Sequence, residues 1–166
     1  MPQFRLTAKF AKDIKAGKLP EPTPASGPFD DWVIDVIRIH RKKVAMATNV
    51  KTLITFLIPY NEAGGATSIP GTIPVRLMDY LGPKDRLRFG RVIRSLFDED
   101  PVFSKTSDRK VLGHMNDFKN HLDGYLMQHG DDIDWNEVSM GINKTLVGTG
   151  GGAYSTPGEL MADALR

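Results

Sequence analysis

The sequence predicts an α+β fold, with a small antiparallel meander sheet of about 3–5 strands and about 4–6 helices packed on it. Three observations predict it. Residues 32–58 are dense in β-branched and aromatic side chains broken by short turns. The second half instead repeats apolar residues at i, i+3, i+4 and i+7. A chain of 166 residues also has room for one hydrophobic core and is short for two, so 1–166 reads as a single domain.

Taken in order, "FRLTAKFAKDIKAG" reads as a short strand and then a helix from about Ala8 to Lys15, ended by Gly17. The following "GKLPEPTPASGP" holds four prolines and two glycines, so about 17–29 is a proline-rich surface loop, expected to be mobile. "WVIDVIRIH", "VAMATN" and "TLITFLI" read as three strands joined by turns at Arg41-Lys42 and Asn49 to Lys51. In the first of them Trp32, Ile34, Val36, Arg38 and His40 share one face, and Val33, Asp35, Ile37 and Ile39 the other. Both faces are largely apolar, so the sheet should be covered on both sides.

Helices are expected from Pro74 to Tyr80 and from Pro83 to Phe97. The second carries Phe89, Val92, Ile93, Leu96 and Phe97 as its core stripe. A short strand at Val102 to Lys105 separates them from a helix running from Val111 to about Gln128. Its stripe is Leu112, Met115, Phe118, Leu122 and Leu126. A further helix lies around Trp135 to Lys144, and the glycine run 148–152 reads as a flexible connector. The last helix has a strong start signal: Thr156 as cap, Pro157 at the first position and Glu159 three residues after the cap.

Composition narrows the chemistry. Hydrophobic residues make up 40% and charged residues 25%, with a formal net charge of +2. This is an ordinary globular balance, without the strong excess of a dedicated DNA binder. Cysteine is absent, which removes disulfides, thiolate nucleophiles and cysteine-based zinc sites. "MPQFRLTAKFAK" has cations but no apolar run, so no secretory signal is expected there. "TLITFLIPY" is far shorter than the roughly 20 apolar residues of a membrane helix. The expectation is a cytoplasmic protein without a membrane partner.

Several fragments carry a resemblance. "RLTAKFAK", "RIHRKKVAMATNVKTLITFLIP", "TSDRKVLGHMNDFKNHL", and "INKT" ahead of "STPGEL" together resemble a family of bacterial proteins defined by a domain of unknown function. Its most specific element is Asp-Arg-x-Val-Leu-Gly-x-Met-Asn-Asp-Phe. The Met115 to Phe118 core matches, while His114 stands where members usually carry a small residue such as Ser. The resemblance implies a single-domain intracellular bacterial protein and supplies no activity.

Candidate sites follow from residue type. His114 and His121 fall on one flank of the long helix, with Asp117 farther out and Asn116 on the opposite flank. Seven residues put the histidines about 10 Å apart along the axis, too far to share an ion, so no metal site is expected. Asn116 and Asp117 also suit a helix start, which makes a local structural role the plainer reading.

Two sets of cations offer anion sites. One is Arg88, Arg91 and Arg94, opposite the apolar stripe of their helix. The other is Arg41, Lys42 and Lys43 at a hairpin, with Arg109 ahead of the long helix. A solvated surface is the plainer reading for each set alone. Asp35 and Arg38 interrupt an apolar strand. Either they are paired or line a cleft, or the strand lies at an edge where charge opposes aggregation. "GTGGGA" lacks the Lys-Ser/Thr of a phosphate loop, and no cofactor motif is present.

The leading expectation is a non-enzymatic bacterial or phage-associated binding protein that presents a basic surface. Its partner would be nucleic acid, a nucleotide or an acidic protein. A small hydrolase or transferase is the first alternative, with His114 or His121 as acid-base, Asp117 orienting and Arg109 holding an anion. A protein-interaction module of a toxin-antitoxin or phage-defence system is the second.

Overall fold

A computed structural model describes residues 1–166, one α+β domain with seven helices. Strands β2 (Asp31–Ile39), β3 (Lys42–Asn49) and β4 (Thr55–Pro59) form the expected antiparallel meander. Two more strands join it in the other sense. The strand β1 (Gln3–Leu6) pairs parallel to β2, and β5 (Val102–Lys105) parallel to β1, giving the order β4-β3-β2-β1-β5. Helix α1 (Ala8–Asp13) and the proline-rich stretch return the chain from the end of β1 to the start of β2, the long crossover that parallel pairing requires. Asp35 and Arg38 therefore lie on the central strand of the sheet.

The β2–β3 turn falls one residue earlier than expected. Ile39 pairs with Lys42, which leaves His40 and Arg41 as a two-residue loop with φ of 48° and 67°. Positive φ at both positions matches the twist of the flanking strands.

Helices cover both faces, as the two apolar faces of β2 require. On one side Phe4, Leu6, Trp32, Ile34, Phe56 and Ile58 meet α1, α3 (Ile69–Tyr80), α4 (Pro83–Phe97) and α7 (Pro157–Ala164). Trp32 stacks on Phe56 with ring centroids 5.9 Å apart and donates its indole N–H to the Phe29 carbonyl at 2.7 Å. On the other side Val33, Val44, Met46 and Leu57 lie under α5 (Arg109–His129) and α6 (Trp135–Ile142). A single-turn helix, α2 (Tyr60–Ala63), links β4 to α3.

Three details differ from the sequence reading. Helix α3 begins at Ile69 and contains Pro74, because burial of Ile69, Ile73 and Leu77 outweighs the one backbone bond that Pro74 cannot make. Val92 points to solvent, and Gly90 is buried instead, against Met78. The glycine run is a hairpin, β6 (Val147–Gly150) with β7 (Ala153–Ser155), and its turn holds Gly150, Gly151 and Gly152 at positive φ. The capping box of α7 forms between Thr156 and Glu159 as the sequence indicates.

Polar side chains close the outer edge of β4. On the outer edge of β4, Asn143 Oδ1 accepts from Thr55 N (2.8 Å) and its Nδ2 donates to Thr55 O (3.1 Å). Ser139 Oγ accepts from Leu57 N at 3.1 Å. Helix α6 thus supplies the bonds a sixth strand would make. Gln3 repeats the device on the proline-rich loop: its Nε2 donates to Thr23 O (3.0 Å) and its Oε1 accepts from Thr23 N (2.8 Å). Nearby, Lys105 N donates to Pro20 O at 2.9 Å, so this loop also lies along β5.

Replacing Asn143 with Ala leaves a buried N–H and C=O of Thr55 without partners. We expect a loss of about 2–4 kcal/mol in urea unfolding, with faster amide exchange confined first to β4. An unchanged midpoint would show that the edge is closed by something else.

Candidate functional site

The sheet opens a cleft where β1 stops. Pairing of β1 with β2 ends at Leu6–Ile34, while β2 continues to Ile39. The space beyond is walled by Lys9, Lys12 and Asp13 of α1, by Val36, Ile37 and Arg38 of β2, by Lys43 of β3 and by Lys119 of α5. It encloses about 560 Å³.

Local structure aims each group. Thr7 caps α1, accepting from Phe10 N, and Phe10 anchors the helix in the core, so Lys9 and Lys12 remain exposed. In α5 the buried stripe Val111, Met115, Phe118 and Leu122 faces the sheet. Lys119 then lies on the flank of that stripe, over β2.

Two carboxylates hold the cleft's lysines. Asp35, buried on the central strand, accepts from Lys119 Nζ at 2.7 Å and from Thr7 Oγ1 at 2.7 Å. Asp13 accepts from Lys43 Nζ at 2.7 Å and from the Tyr60 hydroxyl at 2.8 Å. Burial pushes the Asp35 carboxyl upward, but the hydrogen bonds from Lys119 and Thr7 and the charge of Lys119 outweigh it, leaving the group below its ordinary value. Asp13 is held low in the same way by Lys43 and Tyr60 against the effect of burial. The Tyr60 phenol goes well above its ordinary range, first through burial and then through its bond to Asp13 and the two nearby carboxylate charges. Both carboxylates are therefore ionised at neutral pH. Lys9, Lys12 and Arg38 form no ion pair, although the charge of Arg38 also helps to hold Asp13 low.

A second, shallower concavity of about 730 Å³ lies on the other flank of α5. Arg109, Lys110, Gly113, His114 and Asp117 line it, facing Gly148, Gly150, Gly152 and Tyr154 of the glycine hairpin. His114 stacks on Phe118 with ring centroids 6.5 Å apart. Burial, and then the charge of Lys110, lower its pKa, with Asp117 and Asp108 opposing. No hydrogen bond joins His114 to Asp117. The cap of α5 is Asp108, which accepts from Lys110 N and Val111 N.

The structure sorts the residues singled out by sequence. Lys43 enters the cationic cleft, whereas Arg41 and Lys42 are exposed at the hairpin. Arg88, Arg91 and Arg94 are exposed on α4. Arg88 lies over Phe89, whose ring packs on Phe29 at the start of β2. The hairpin is at the far end of that nine-residue strand, roughly 30 Å away, so the two sets of cations form no common patch. Arg109, His114 and Asp117 share the second concavity. His121 is exposed, and its Nε2 lies near Gly141, 3.2 Å from where a Cβ there would stand. Asn116 is exposed and lines neither site.

Sequence reasoning missed Lys9, Lys12 and Lys119 because they converge only through the fold. A signal was present. Thr7, Lys9 and Lys12 lie in "RLTAKFAK", Arg38 and Lys43 in "RIHRKKVAMATNVKTLITFLIP", and Lys119 in "TSDRKVLGHMNDFKNHL".

Because the folded-state pKa of Asp35 is depressed, its stabilising contribution is complete above the ordinary value of 3.8 and is lost as pH falls through the lower folded value. Stability should therefore rise with pH across that acidic window. Asp35→Asn should flatten the rise in denaturant midpoints measured from about pH 2 to pH 5. Identical slopes for the two proteins would contradict the assignment.

No curated protein is similar enough to the chain to count as a match. A family model described as a domain of unknown function (DUF6933) matches residues 3–160, nearly the whole chain, and the protein belongs to that family.

Proposed function

We propose that the protein is a binding module for a small phosphorylated ligand, of the diphosphate or nucleotide class, held in the cleft beyond β1. The observation that carries this reading is the meeting of Lys9, Lys12, Arg38, Lys43 and Lys119 around one cleft, against only Asp13 and Asp35.

Five like charges in one cleft repel one another and cost stability, a cost that a bound anion offsets. The two carboxylates support the reading as well. Each engages one lysine, leaving further ammonium protons free for a ligand. Lysines held this way lose less side-chain entropy on binding. A concave site of this size favours a compact ligand over a nucleic-acid duplex or an acidic protein face.

Calorimetric titration with ADP and with pyrophosphate tests this. Binding should weaken as salt is raised, and Lys12→Ala and Arg38→Ala should each weaken it about tenfold, the value of one charge-assisted hydrogen bond. Both side chains are exposed, so folding should be unaffected. Absence of binding, or unchanged affinity in both variants, would overturn the proposal. Binding of a short RNA in place of either small ligand would do the same.

One observation favours an enzymatic reading as a second: Arg109, His114 and Asp117 line one concavity. The lowered pKa of His114 keeps the imidazole neutral at pH 7, the form a general base needs. If this concavity cleaves phosphodiesters, His114→Ser should slow hydrolysis of bis-p-nitrophenyl phosphate by at least about a hundredfold. An unaltered rate excludes the histidine.

A further inference from the structure

A further gap lies between α3, α6 and β4. It encloses about 270 Å³ and is lined by Phe56, Arg76, Asp79, Tyr80, Asn136, Ser139, Met140 and Asn143. Protein interiors rarely leave a space larger than a water molecule. This one falls just below the roughly 300–1,000 Å³ of small-molecule pockets, enough for one or two fused rings. It shares no residue with the cationic cleft.

Its polar groups divide into committed and free. Asn143 and Ser139 are taken up by the β4 edge. Arg76 is neutralised by Glu62 and donates to Asn136 Oδ1 at 2.7 Å. That leaves three groups without partners: the Asp79 carboxylate, the Tyr80 hydroxyl and the Asn136 Nδ2 amide. The first two make no hydrogen bond within the protein, and Asn136 uses only its oxygen and its backbone N–H.

Phe56 and Tyr80 meet edge to face at 6.2 Å and supply aromatic walls, and Met140, 54% exposed, stands at the rim. Behind Tyr80 and Asn143, Gly158 of α7 packs closely on both. A Cβ at Gly158 would come within 3.1 Å of the Tyr80 hydroxyl and 3.3 Å of the Asn143 carbonyl, so glycine permits this approach.

We propose that this pocket binds a planar amino-substituted heteroaromatic ring of the nucleobase type. Aromatic and thioether walls suit a flat ring. A free carboxylate and a free amide N–H on the same lining match a ring edge that carries an amine beside a ring nitrogen. The amine donates to Asp79, and the ring nitrogen accepts from Asn136 Nδ2. The net acidity of the lining, once Arg76 is matched by Glu62, disfavours anions. This separates the pocket's ligand class from that of the cationic cleft, and neither proposal depends on the other.

The test uses adenine and cytosine as probes, with toluene and benzoate as controls, in amide-resolved NMR titrations of the full chain. Adenine or cytosine should saturate with shifts at Tyr80, Met140 and Asn143. Asp79→Asn should weaken the binding about tenfold, and Met140→Trp should abolish it by filling the rim. Both positions are exposed, so thermal midpoints should stay within those of the wild type. No saturable binding of either base overturns the proposal, as does undiminished binding in Asp79→Asn or equal binding of toluene or benzoate.

Discussion

A sheet that is apolar on both faces has to be closed on both faces and at its edges, and the rest of this structure follows from that constraint. Val33, Val44, Met46 and Leu57 on one side, and Trp32, Ile34, Phe56 and Ile58 on the other, demand two helical layers. A β4 edge buried under α6 cannot leave its N–H and C=O groups dry. Asn143 and Ser139 answer for it, as Gln3 does for the proline-rich loop. Asn49 does related work at the β3–β4 turn, accepting from Thr52 N and donating to Pro28 O. Buried amides therefore serve here as short stand-ins for strands.

The same topology produces the cationic cleft. A parallel β1 of four residues beside a β2 of nine necessarily leaves the far end of β2 uncovered. Helix α1 turns across that end and brings two lysines, and α5, held by its apolar stripe, brings a third. Asp35 occupies the one position where the central strand's second face meets Lys119 and Thr7 together. A buried carboxylate costs desolvation and is tolerated only when paired. Here the pairing also fixes a lysine at the mouth of a cleft.

Much of the fold was legible from local pattern. The meander, α4, β5 and the α7 capping box depend on neighbours within a few residues, and β-branched alternation, helical spacing and cap chemistry report them directly. What escaped was non-local. The parallel placement of β1 rests on pairing with Asp31 to Ile34 and with β5, about a hundred residues on. Composition alone makes the glycine run a connector, although positive φ at Gly150 to Gly152 is what a tight hairpin turn uses. The site divided likewise. Arg109, His114 and Asp117 were found because one helix carries them. Lys9 and Lys12 come from α1, Arg38 from β2 and Lys119 from α5, and only Arg38 stands out in the sequence, as a charge out of place in an apolar strand.

A crystal structure of the protein soaked with pyrophosphate near pH 7 would locate the anion site directly. An ordered anion should appear beyond the end of β1, bridged by Arg38 and Lys12 and touched by Lys43 and Lys119, with the Asp35 and Asp13 contacts unchanged. An anion seated instead between Arg109 and His114, or no ordered anion at all, would contradict that placement.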